Sequence, residues 1–213
     1  MIKLLACIFM LIDHVGILFF PEQIALRLVG RLSMPLYAYC LARGIRYTHD
    51  LKKYFLRILT VAAVSQIPYM LLVNKIKLNI CFLWVGAITL IWACRNAEAL
   101  LTRFFVIVGI ILASTIIPVD YGLYGLVYVV ILYRFAFQTN DVKMYVAWFL
   151  LHILKFIMDP AGAIIQLFTL PTLAIIDICN RYKFEIPRKN NKLITWFYPV
   201  HISVLLILYI FLE

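Results

Sequence analysis

Asp13 and His14 stand side by side near the middle of an apolar run from Leu4 to Phe20. An ionisable residue at the centre of a membrane helix costs about 2.5–3.5 kcal/mol on insertion scales, so such residues face a protein interior and act there. The next apolar run carries Arg31 near its middle, and the last carries His201. Histidine is the side chain that moves a proton most readily near neutrality, and a positioned acid–base group contributes about 10²–10⁴-fold to a rate. A buried arginine can hold a carboxylate, a phosphate or a developing oxyanion. The catalytic candidates are therefore His14, Asp13, Arg31 and His201. Neighbouring residues on a helix diverge by about 100°, so Asp13 and His14 need not share a role. Matching depth predicts an Asp13–Arg31 ion pair, leaving His14 or His201 toward a substrate. His152, also mid-run, has no motif around it and reads as structural.

These residues must be positioned by membrane helices. The chain has 213 residues, is 65% apolar and only 14% charged, and has a mean hydropathy of +0.98. Soluble domains run nearer half apolar and a quarter charged. Apolar runs predict helices at roughly 4–20, 24–42, 54–73, 78–94, 104–118, 121–138, 144–158, 161–177 and 193–212, against about 17–25 residues for a span. The fold class is all-α: one polytopic membrane domain over residues 1–213, with about nine spans. With the N-terminus inside, 15 of the 20 Lys and Arg residues fall on the inner side, as the positive-inside rule requires. The chain is thus expected to be multi-pass in the inner (cytoplasmic) membrane. The net charge of +10 is accounted for by those loops rather than by nucleic acid. Asp177 to Lys192 reads as an inner loop. The five cysteines contain no C-x-x-C, so no disulfide or thiolate metal site is expected.

Two further sets of residues could bind. On the inner side Arg43, Arg46, Lys53 and Arg57 could hold the phosphates of a cytosolic donor such as coenzyme A. Tyr37, Gln66, Asn79, Asp120, Tyr121 and Tyr198 are candidate substrate contacts. Arg27, Arg31 and Pro35 recur on one face of the second helix, and Pro35, Pro68, Pro118, Pro171 and Pro199 read as kinks. There is no G-x-x-x-x-G-K-[ST], G-x-G-x-x-G or H-E-x-x-H, which excludes a P-loop, a dinucleotide fingerprint and a helical zinc protease motif.

Several blocks in order carry a family resemblance. They are Leu4-Leu5-Ala6 through Met10-Leu11-Ile12-Asp13-His14, Arg27-Leu28-Val29-Gly30-Arg31-Leu32-Ser33-Met34-Pro35-Leu36-Tyr37, and Gly44-Ile45-Arg46-Tyr47-Thr48. Then come Tyr54-Phe55-Leu56-Arg57, Ser65-Gln66-Ile67-Pro68-Tyr69, Asn79, Asp120-Tyr121-Gly122-Leu123-Tyr124-Gly125 and Phe197-Tyr198-Pro199-Val200-His201. Together they resemble the TraX family, named for the conjugation protein that acetylates the N-terminus of F-type pilin, and through it a wider group of membrane acyltransferases that use acetyl-CoA. The resemblance implies acetyl transfer from cytosolic acetyl-CoA, as co-substrate, to an amine or hydroxyl of an acceptor peptide or surface glycan. Membrane lipids would be the other partner. The competing expectation from the residues alone is a proton-coupled transporter or flippase using the Asp/His/Arg cluster, and a weaker one is an assembly factor with purely structural polar pairs.

Overall fold

A computed structural model describes residues 1–137, 142–181 and 191–212, with side chains at all of these except 180–181 and 191–194. Those residues hold eleven helices and no strand: α1 Ile2–Phe19, α2 Ile24–Gly30, α3 Ser33–Tyr47, α4 Leu51–Val73, α5 Ile80–Asn96, α6 Leu100–Ile116, α7 Gly122–Phe135, α8 Val142–Met158, α9 Pro160–Leu167, α10 Pro171–Arg181 and α11 Asn191–Leu212. By length and composition four stretches can cross a bilayer: Ile2–Phe19, Leu51–Val73, Pro160–Cys179 and Thr195–Leu212. At 1.5 Å per residue α1 spans about 27 Å and α4 about 34 Å, which brackets a hydrocarbon core of about 30 Å. The surface agrees with a membrane setting. No residue of α6 is buried, and its Phe105 and Ile116 are 62% and 74% exposed. Such a face is untenable in water and costs nothing in lipid. Of the expected polar loop from Asp177 to Lys192, Asp177 to Arg181 is helical, Asn191 and Lys192 begin α11, and 182–190 lie outside the described residues.

Two predicted continuous helices are broken, and proline is the reason for both. A helical proline has no N–H for the carbonyl four residues back, and its ring clashes with that carbonyl. The residue four before Pro35 is Arg31, and the chain turns at Arg31–Leu32 between α2 and α3. The residue four before Pro171 is Leu167, where α9 ends. Pro35 thus sits in the first turn of α3 and Pro171 begins α10, positions where the missing N–H costs nothing. Pro68 and Pro199 do lie inside helices, in α4 and α11. Polar caps place other ends. The Asp50 carboxylate accepts from the Lys53 N–H at 2.9 Å, Asn79 caps α5, and Asp159 caps α9.

The helices that matter for function close a ring. α1 packs on α3 and α11, α3 on α7, α7 on α5, α5 on α4, and α4 on α11. α6 lies outside against α5 and α7, α8 against α7 and α9, and α10 against α3. One end of the ring is tied by the connections before α5 and α7. A single parallel bridge joins Leu78 to Val119, and Lys77 Nζ meets Asp120 Oδ1 at 2.9 Å.

Candidate functional site

The ring surrounds an open-mouthed cavity of about 130 Å³. Each wall is a helical stripe. α1 contributes Lys3, Met10 and Asp13–His14, and α3 contributes Ser33, Met34, Tyr37, Cys40 and Leu41. From α4 come Tyr54, Arg57, Ile58 and Val61, from α5 Ile80, Cys81 and Trp84, and from α11 Thr195 and Tyr198. Asp120 and Tyr121 close it from the turn before α7. Its lining cations, Lys3 and Arg57, lie at one end, and its lining carboxylates, Asp13 and Asp120, lie at the other, where Arg27 and Lys77 pair with them. Lys3 and His14 are eleven positions apart on α1, so the cavity runs about 16 Å along that helix.

His14 and His201 meet, although 187 residues separate them. His14 Nδ1 lies 2.7 Å from His201 Nε2, and the two rings are within 2° of parallel with centroids 4.9 Å apart. That separation is what two coplanar rings joined edge to edge require, so the contact is an in-plane hydrogen bond rather than a stack. The tautomers follow from the network. His201 Nδ1 lies 2.6 Å from the Phe197 carbonyl, which can only accept, so His201 carries its proton on Nδ1. Its Nε2 is then an acceptor, and His14 Nδ1–H donates to it. This leaves Nε2 of His14 with a free lone pair. His14 lines the cavity and His201 does not. His201 therefore orients His14 from behind, as second partners orient catalytic or metal-binding histidines elsewhere. Tyr198 packs beside both, with ring centroids 6.4 Å from His14 and 5.9 Å from His201.

The expected Asp13–Arg31 pair is replaced by another. Asp13 Oδ1 meets Arg27 Nη1 at 3.3 Å, while Arg31 Nη1 donates to the Tyr121 hydroxyl at 3.1 Å. Arg31 still follows Arg27 by one helical turn, its N–H bonded to the Arg27 carbonyl at 3.2 Å, and the two guanidinium groups part to different partners. Gly30 also matters, because a Cβ there would collide with the Asp13 side chain. Tyr121 is itself held in a costly shape: its φ of 62° is left-handed, and Gly122 follows at 47°. A non-glycine residue there costs about 1–3 kcal/mol and persists only where the surroundings dictate it.

Of the other predicted residues, Tyr37, Asp120, Tyr121, Tyr198 and Arg57 line the cavity. Gln66 and Asn79 do not; they are saturated by structure. Gln66 donates to the Lys77 carbonyl and accepts from Asn79, while Asn79 also donates to the Ala62 carbonyl and accepts from the Cys81 N–H. Arg43, Arg46 and Lys53 are exposed and off the cavity wall. Arg46 lies over Phe137, and Lys53 pairs with Asp50. His152 is buried outside the cavity, bonded to the Trp148 carbonyl and within reach of Tyr124 and Thr169, as its structural reading expects. Lys3 was missed. The signal was there: Lys3, Cys7, Met10 and His14 recur at i, i+4, i+7 and i+11, one face of a helix. Among the described residues no group of His, Cys, Asp and Glu is arranged to hold a metal.

A protein-family model described as TraX protein matches residues 1–209. No curated protein and no solved structure matches the chain.

Proposed function

This chain belongs to the TraX family, and on that premise we propose that it is a multi-pass membrane acetyltransferase, N-terminus inside, that moves an acetyl group from cytosolic acetyl-CoA to an acceptor amine. One observation carries the reading: one cavity has Lys3 and Arg57 at one end and, on its wall, the His14 ring held by His201. Lys3 and Arg57 would hold the phosphates of the donor at the inner mouth, and the narrow stripe between Tyr54 and Met10 would take its arm. Asp13 and Asp120 at the far end are each already paired, with Arg27 and Lys77, so they would accept hydrogen bonds from the N–H groups of a neutral amine acceptor rather than draw an ammonium by free charge. His14 Nε2 would accept the proton released when that nitrogen attacks the thioester, and return it to the departing thiolate. The dyad favours this over a proton-coupled carrier. Its hydrogen bonds end at the Phe197 carbonyl, a group that cannot pass a proton on, so the proton must leave by the nitrogen that received it.

The test is transfer of labelled acetyl from acetyl-CoA to a peptide amine by purified protein in lipid nanodiscs. Wild type should transfer, and His14→Ala should lose about 10²–10⁴-fold while retaining its elution profile and melting temperature. Equal rates for the two proteins would remove His14 from the chemistry. No transfer by wild type to any amine or hydroxyl acceptor would remove the acetyltransferase.

A further inference from the structure

Arg31 was the expected stabiliser of negative charge, yet it is not on the cavity wall. Its charge reaches the cavity through another residue. The guanidinium donates to the Tyr121 hydroxyl at 3.1 Å, and its Cζ lies 5.8 Å from the centre of the Tyr121 ring. Arg31 Nε is buried with no hydrogen-bond partner among the described residues, and the carboxylates of Asp13 and Asp120 act on this cation only through space. A phenol whose oxygen accepts from a guanidinium has its own O–H polarised and left to donate elsewhere. Tyr121 lines the same cavity as His14, and its left-handed backbone shows that the fold holds it there against its own preference.

We propose that Tyr121 is the oxyanion donor of the transfer reaction, and that Arg31 is the positioning residue that polarises it. The inference rests on the acetyltransferase reading above. The neutral acceptor nitrogen attacks the thioester carbonyl carbon, a C–N bond forms, and the carbonyl π pair moves onto oxygen. The Tyr121 O–H donates to that oxygen. His14 takes the proton from the new ammonium. The oxygen pair then re-forms the carbonyl, the C–S bond breaks, and the thiolate leaves with the proton from His14. The products are an acetamide and free coenzyme A thiol. Donation that strengthens as charge develops is what accelerates the step.

The experiment uses full-length protein in nanodiscs with labelled acetyl-CoA and a peptide amine. Tyr121→Phe should lower kcat about 10²–10³-fold with the KM for acetyl-CoA little changed, as removal of one oxyanion donor does. Fluorinated tyrosines installed at 121 keep the shape and grade the acidity of the phenol, so kcat should rise with acidity at pH values where the phenol stays protonated. Arg31→Met should flatten that dependence, and Arg31→Lys should restore part of it. A purely structural arginine would move stability without moving the slope. Full kcat in Tyr121→Phe, a flat response to fluorination in wild-type background, or a rise confined to the acceptor KM would each overturn the proposal while leaving the acetyltransferase standing. Absence of transfer in wild type would overturn both together.

Discussion

Replacing His201 by Phe keeps a flat ring against Phe197 and removes both the nitrogen that receives the His14 proton and the N–H that donates to the Phe197 carbonyl. In the native protein the 2.7 Å bond holds His14 with its proton on Nδ1 and its lone pair on Nε2. Hydrogen bonds between membrane helices contribute about 0.6 kcal/mol on average and about 1.7 at most. With RT near 0.59 kcal/mol, that biases the tautomer by about 3-fold to about 18-fold. The short distance and the buried setting, with His14 at 7% and His201 at 6% exposure, place this pair toward the upper end. The assay is ¹⁵N NMR of protein labelled at histidine. Wild type should show His14 protonated on Nδ1, and His201→Phe should lose that preference. His201→Gln, whose carbonyl can accept, should recover part of it. In transfer assays the same series should fall by at least the tautomer factor and recover in the same order. A wild-type spectrum with His14 protonated on Nε2 would refute the assignment, because the reasoning admits no other direction for the bond.

Three further outcomes follow from the geometry. Asp13→Asn and Arg27→Met should each destabilise the protein by about 1–3 kcal/mol, below the about 3–5 of a fully buried pair because Arg27 is 31% exposed. The double variant should lose less than the sum, and strict additivity in denaturant titrations would show that the pair does not interact. Lys3→Glu and Arg57→Glu should each raise the KM for acetyl-CoA about tenfold or more with kcat nearly unchanged, since a charge-assisted hydrogen bond contributes about 1.5–3 kcal/mol. Reversal of the exposed Arg43, Arg46 or Lys53 should change it little, and equal effects at all five sites would point to bulk charge instead. The Asp50 carboxyl lies outside the spans and is held below its ordinary value of 3.8 first by the Lys53 N–H and then by the Lys53 side chain. A lowered folded value means the cap is fully present above the ordinary value and is lost as pH falls through the folded one. Amide exchange at Lys53, compared with neighbouring residues, should therefore accelerate selectively at acid pH, and Asp50→Asn should remove that dependence.

The outlines of the helices were legible because hydropathy has a length scale. Each apolar run coincides with one helix or, at 24–42 and 161–177, with two helices, the second carrying a proline in its first turn. Both breaks were themselves readable, four residues before Pro35 and Pro171, had the missing hydrogen bond been traced to its carbonyl. The face of α1 that carries Lys3, Met10 and His14 was equally readable from periodicity. What misled was treating depth as contact. Asp13 and Arg31 are near in height, but a side chain chooses among all neighbours at that height, and Arg27 and Tyr121 were the closer ones. Gln66 and Asn79 misled for a related reason. An amide near a helix end can serve a ligand or the backbone, and only the positions of Ala62, Lys77 and Cys81 reveal that the backbone has taken it.

The residue types and their order by themselves determined a membrane-embedded, all-helical chain of the TraX family with Asp13, His14, Arg31 and His201 placed away from water. Those properties depend on local quantities, the transfer cost of each side chain and the reach of a helical turn, which a linear sequence contains in full. Only the tertiary structure decided that His14 lines the cavity while His201 stands behind it, that Arg31 donates to Tyr121, and that Lys3 and Arg57 lie at the opposite end of one cavity from the ion-paired Asp13 and Asp120. Each of these is a contact between residues from 90 to 187 positions apart or a property of the closed ring, and it exists only once α11 has packed between α1 and α4.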